Sequence, residues 1–249
     1  MNPLTGTGTQ SKKTESLAQL QRLGQSICLD YIRRSLIQSG ELKRLIKEQS
    51  VTGMTSNPTI FDKAISGSSD YDETLASLLK QDATAGPGRL YEELAIEDIR
   101  MAADALRPIW ERTGGGDGYV SLEVSPELAH DTERSIGEAL RLWKAVERPN
   151  LMIKIPATPE GIPAVEALIA EGLNVNVTLM FSLAHYEAVA QAYLKGLEKC
   201  ATPEKVASVA SFFVSRVDTA VDKLLESLGS PQANALRGKI AIANSRRVY

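Results

Sequence analysis

Six apolar runs of strand length, each separated from the next by a stretch with helical spacing, constrain this chain more than any other feature. The runs are Ser26 to Asp30, Val51 to Thr55, Tyr119 to Val124, Leu151 to Pro156, Asn174 to Leu179 and Val206 to Phe213. Helical patterns lie between them. Thr14 opens one through Leu17, Leu20 and Leu23, and Leu42, Leu45 and Ile46 follow Gly40. Another passes through Ile99, Ala102, Leu106 and Ile109, and a further one carries Ile136, Leu140 and Trp143. Val165, Leu168 and Ile169 mark the helix after the fourth run, Ser182 the N-cap of the next, and Val217, Val221, Leu224 and Leu228 the one after the sixth. Residues 238–249 read as a last helix. Such alternation predicts a parallel α/β sheet with right-handed crossovers.

Two architectures satisfy that pattern, a doubly wound sheet and a (β/α)8 TIM barrel. An open doubly wound sheet carries its site at a switch point, often beside a Gly-rich phosphate loop. No such loop follows any of the strands; Gly114 to Gly118 precedes one and reads as a turn. In a barrel, one parity of every strand faces a common interior, and working groups sit at the C-terminal ends. The polar residues follow that rule. Asp30, Thr55 with Asn57, Ser121 with Glu123, Lys154, then Asn174, Asn176 and Thr178, and finally Ser211 take the interior parity, while Val120, Leu122, Ile153, Ile155, Val175 and Val177 take the other. A single barrel domain over residues 1–249 is the expected organisation. Eight strand–helix units close such a barrel, so the last two are expected to be missing from this chain.

The bulk numbers exclude several classes. A net charge of −3, with charged residues interspersed, argues against a basic nucleic-acid face. No run of about 18 apolar residues suggests a membrane span, and the polar start MNPLTGTGTQSKK lacks the apolar core of a secretion signal. Two cysteines, Cys28 and Cys200, fit a reducing compartment. A cytoplasmic protein is expected. His130 and His185 follow helix starts, and with no clustered His/Cys/Asp spacing no metal site is expected.

Lys154 stands in the middle of an apolar strand closed by Pro156. Burial disfavours an ammonium ion and frees an amine to attack a carbonyl; the structural alternative is a buried stem with its charge paired elsewhere. An amine with two carboxylates, a threonine and carboxamides suits imine chemistry on a polyhydroxy ketone. Lys154 would add to the carbonyl, and Glu123 and Asp30 would move protons, with Thr178 holding a water. Thr55 belongs to the same rank as Asp30, on the substrate side. Asn57 and Asn176 could hydrogen-bond sugar hydroxyls, although Asn57 before Pro58 also suits a turn. Ser211 and Arg216, near a helix start, could hold a phosphate, against a plain surface role for Arg216.

The segments Val51 to Phe61, Ser121 to Val124, Leu151 to Pro156 with Gly161-Ile162, Asn174 to Ser182 and Ser211 to Arg216 resemble transaldolase. The resemblance spans nearly the whole chain. It implies a (β/α)8 barrel and cofactor-free transfer of a dihydroxyacetone unit between sugar phosphates in the pentose phosphate pathway. It implies Lys154 as the Schiff-base lysine, with Glu123 acting as acid/base through a water held by Thr178 and Asp30 as the second proton-transfer carboxylate. Asn57 and Asn176 would contact substrate, and Ser211 with Arg216 its phosphate. Phe213 stands where the fructose-6-phosphate aldolase branch carries tyrosine, which favours the transferase. A homodimer is among the expected assemblies. A cleaving aldolase and a non-catalytic interaction fragment are the alternatives.

Overall fold

A computed structural model describes residues 16–249, so the helix start expected at Thr14 lies outside the described residues. Residues 16–22 form α1. In chain order there follow β1 Cys28–Asp30, α2 Arg34–Gln38, α3 Glu41–Gln49, β2 Gly53–Thr55, α4 Pro58–Ser66, α5 Asp72–Gln81, α6 Pro87–Arg112 and β3 Val120–Glu123. Next come α7 Thr132–Val146, β4 Leu151–Pro156, α8 Gly161–Ala170, β5 Val175–Met180 and α9 Leu183–Lys199. The order ends with β6 Ser208–Phe212, α10 Ser215–Leu228, α11 Pro231–Leu236 and α12 Ile240–Val248. By packing, the chain divides into two compact units. Among the described residues, the first holds those up to Glu123 together with Arg141–Met152, and the second holds Val124–Leu140 and Ile153–Tyr249.

Strand order along the sheet is chain order, β1 to β6, and every described pairing is parallel. In the first unit Cys28 pairs with Gly53, Asp30 with Thr55, and Thr55 with Ser121. The Val120 N–H donates to the Asn150 carbonyl just ahead of β4 (2.9 Å). In the second unit the Val124 N–H donates to the Lys154 carbonyl (3.3 Å), Lys154 pairs with Asn176, and Pro156 pairs with Thr178. A doubly wound sheet reverses its order at a switch point; here β4 follows β3 without reversal. This is the expected barrel-type connectivity, with six strand–helix units among the described residues where a closed (β/α)8 barrel has eight.

Parallel strands covered on both faces read as near-continuous apolar runs, and β4 is buried along its whole length. The first unit packs on α6, where Leu94, Ile99, Leu106 and Ile109 are buried. Each such side chain contributes about 1.5–3 kcal/mol by leaving water. Pro87 starts that 26-residue helix, and Pro108 is accommodated inside it.

A buried charge cluster ties the helices of the first unit together. Arg34 on α2 donates from Nε to Asp98 on α6 (2.8 Å), and its terminal nitrogens donate to Glu97 (2.6 Å) and Thr74 on α5 (2.6 Å). The Tyr71 hydroxyl donates to the other Asp98 oxygen (2.7 Å) and accepts from the Arg34 backbone N–H (3.1 Å). The guanidinium also lies over the Tyr71 ring, 4.8 Å from its centroid.

Two expectations are refined. The short helices α2, α5 and α11 add to those the pattern marked; in α5, Leu75 and Leu78 pack half-buried against the cluster of Ala64, Tyr71 and Leu94. Leu224 and Leu228 belong to α10 as the spacing predicts, yet both are exposed.

Candidate functional site

In the first unit the expected site residues gather at the C-terminal ends of β1, β2 and β3. Thr55 donates its hydroxyl to its register partner Asp30 (2.7 Å), and on its other side Thr55 is level with Ser121. Glu123, half-buried, lies two residues beyond Ser121 and so on the same face of β3. Asn57 is the N-cap of α4, its Oδ1 accepting the Ile60 N–H (2.9 Å), with Pro58 in the first turn. The capping role left open for Asn57 is therefore real. It occupies the carbonyl oxygen, and the side-chain NH2 takes no part in the cap.

Tyr91 was not among the expected residues. It stands on α6 with its ring edge-on to Phe61 of α4, centroids 6.0 Å apart. Burial, then the Glu123 and Asp62 carboxylates, push its phenol up to about 12, which keeps a neutral O–H donor near Glu123. No strand periodicity marks a residue on an inserted helix, so Tyr91 gave no signal.

The second unit holds the remaining residues. Lys154 is buried, 7% exposed, in the middle of β4, and its register partner Asn176 is 2% exposed. Thr178, 3% exposed, is level with Pro156, two pairs further toward the strand ends and so on the same face as Asn176. Ser211 on β6 donates its hydroxyl to the Asn176 carboxamide oxygen (2.7 Å). Asn174, at the other end of the same stripe, accepts the Ala207 N–H (2.9 Å) and helps join β5 to the chain entering β6.

Alternation fails just after Thr178. Leu179 takes a left-handed φ of 62°, and the β5–β6 register shifts between Val177 and Met180. A non-glycine residue in that region is strained by about 1–3 kcal/mol and persists only where the surroundings enforce it. Pairing resumes with Met180 opposite Phe212, and the Phe213 N–H donates to the Met180 carbonyl (3.0 Å). The Phe213 ring stacks on Phe181, centroids 5.3 Å apart and planes 15° from parallel, and the Arg216 guanidinium lies 4.6 Å from the Phe213 centroid. Phe181 is another residue that the strand pattern did not single out, since it lies beyond the register shift.

Among the described residues no three His, Cys, Asp or Glu side chains gather as metal ligands. Among the same residues no helix is long and apolar enough to cross a membrane.

Parallel strand–helix units in unbroken order, with a buried lysine in the fourth strand and polar side chains beside it on the fifth, define a chain of the (β/α)-barrel class. Over residues 27–249 it matches the family model described as Transaldolase/Fructose-6-phosphate aldolase. The chain belongs to that family. It is 54% identical over 238 residues to a transaldolase of Saccharopolyspora erythraea, covering 94% of this chain and 63% of that protein. With a transaldolase of Mycobacterium marinum the identity is 48% over 243 residues, covering 96% and 65%. With one of Thiobacillus denitrificans it is 49% over 234 residues, covering 92% and 65%. The chain thus spans 63–65% of the length of these relatives.

Proposed function

We propose that this chain carries the catalytic lysine of a cytoplasmic transaldolase, which moves a dihydroxyacetone unit from a ketose phosphate to an aldose phosphate without a cofactor. The observation that carries the reading is a buried amine at Lys154 in register with Asn176 and two pairs from Thr178, in a chain of the transaldolase/fructose-6-phosphate aldolase family. Sedoheptulose 7-phosphate or fructose 6-phosphate is the donor, and glyceraldehyde 3-phosphate or erythrose 4-phosphate the acceptor.

In this reading the Lys154 amine adds to the ketose carbonyl, and the carbinolamine loses water to give an iminium ion. The iminium draws in the electron pair of the adjacent carbon–carbon bond as that bond breaks. An aldose phosphate leaves, a lysine-bound enamine remains, and the proton of the cleaved hydroxyl passes to a carboxylate. Glu123, through a water held by Thr178, and Asp30 carry these proton transfers, each worth typically 10²–10⁴-fold. The enamine then attacks the acceptor aldehyde, and hydrolysis of the new iminium frees Lys154. Thr55, Asn57 and Asn176 hold sugar hydroxyls, while Ser211, Phe213 and Arg216 form the phosphate end.

Borohydride reduction in the presence of fructose 6-phosphate tests the reading. A covalent adduct mapped by mass to the peptide containing Lys154, and lost in Lys154→Arg, is the expected result. An adduct on another lysine, or none, refutes it. Release of free dihydroxyacetone at an equal rate with and without an acceptor aldehyde would make the chemistry a cleaving aldolase instead.

A further inference from the structure

We propose that Asn244 on α12 is a positioning residue for the anion-binding end of the site, acting on Arg216 through two stacked phenyl rings. The inference rests on the assignment of Arg216 to the substrate phosphate. Asn244 donates its side-chain N–H to the Phe181 carbonyl (2.8 Å), across 63 residues of sequence. Phe181 stacks on Phe213, and Phe213 carries the Arg216 guanidinium on its face.

The Phe181 peptide needs such a tie. It follows directly on the segment where Leu179 has a positive φ and the β5–β6 ladder loses its register, so strand pairing fixes the backbone less firmly there. On its other side Ser182 caps α9, accepting the His185 N–H. Asn244 thus supplies a side-chain hydrogen bond at the junction between an irregular strand end and a helix start. Helix α12 is itself held from α10. Asp218 accepts the Ala241 N–H (3.2 Å), Asp222 accepts the Gly238 N–H (3.0 Å), and Ala241 is fully buried.

What reaches Arg216 suits an anion. A guanidinium lying on a phenyl ring uses its face, and its in-plane N–H donors stay free to grip phosphate bidentately. Among the described residues no carboxylate pairs with Arg216, and the side chain is exposed. The ring beneath therefore decides where the charge points, and Asn244 sets the ring stack by fixing the Phe181 backbone.

Inorganic phosphate is the probe, and the readout is its protection of Arg216 from phenylglyoxal, followed by peptide mass mapping. Asn244→Ala and the isosteric Asn244→Asp both remove the donor. Phe213→Leu removes the platform. Ser245→Ala, which loses only an internal bond of α12 to Ala241, is the control, and far-UV circular dichroism checks that each variant is folded. Loss of one net hydrogen bond predicts that the phosphate concentration for half-protection rises about fivefold in both Asn244 variants and stays unchanged in Ser245→Ala. In turnover, KM for fructose 6-phosphate rises by the same factor, kcat holds, and kcat/KM for unphosphorylated fructose does not move. Protection within twofold of wild type in folded Asn244→Asp, or an equal shift in Ser245→Ala, overturns the proposal. If phosphate fails to protect Arg216 in the unaltered chain, the phosphate assignment itself falls, and this role with it.

Discussion

Replacing Arg34 by methionine should be the most destabilising single change in the first unit. The guanidinium is 2% exposed and its partner Asp98 is fully buried. Methionine keeps the aliphatic bulk but leaves the Asp98 carboxylate with Tyr71 as its remaining hydrogen-bond donor among the contacts described above. Breaking a buried pair from one side costs about 3–5 kcal/mol, because the remaining charge is uncompensated. With a urea slope of about 2.5 kcal/mol per M, the unfolding midpoint should fall by on the order of 1–2 M. Both tryptophans, Trp110 and Trp143, lie in the same unit as Arg34, so tryptophan fluorescence reports on the part that is perturbed. The loss also has a pH signature. Burial already raises the Asp98 carboxyl above its ordinary range, against the Tyr71 and Arg34 hydrogen bonds that lower it. A carboxyl raised in the folded state favours folding below its unfolded value, about 3.9, and loses that contribution as pH climbs through the folded value. Without Arg34 the folded value rises further, so the penalty should be largest at pH 7 and shrink toward pH 5. Arg34→Met combined with Asp98→Asn should recover much of the stability, since the orphaned charge is then gone. A midpoint shift worth less than about 1 kcal/mol, or a penalty flat between pH 7 and 5, would refute the reasoning.

Substitutions at two further positions test a helix cap and a close helix–helix contact. Asn57→Ala should cost about 1 kcal/mol of stability from the lost cap, whereas Asn57→Ser keeps the cap and should stay within a few tenths; thermal unfolding reads the difference. If sugar affinity falls in both variants alike, the ligand role of Asn57 is separate from its capping role. Gly196→Ala should destabilise by about 1–3 kcal/mol, because the added Cβ would lie 2.7 Å from both the Glu166 carbonyl and the Ile169 Cβ where α8 meets α9. Urea unfolding would show it, and a neutral result would mean that the two helices separate without cost.

The chain itself determined the strand–helix order and most of the polar rank. Buried parallel strands must be apolar, so Lys154, Asn176 and Thr178 stand out in Leu151 to Pro156 and Asn174 to Leu179 as polar groups whose presence there needs a reason. Ser182 as a cap and Asn57 before Pro58 were likewise legible, since capping depends on neighbouring residues only. Tertiary structure alone decided three things. Alternation assumes an unbroken pleat, and Leu179 breaks it through a backbone conformation that the residue type disfavours. The Arg34–Asp98 pair and the Asn244–Phe181 bond join positions 64 and 63 residues apart. Local spacing carries no information about such pairs, because only the packing of α2 on α6, and of α12 beside the end of β5, brings the partners within reach.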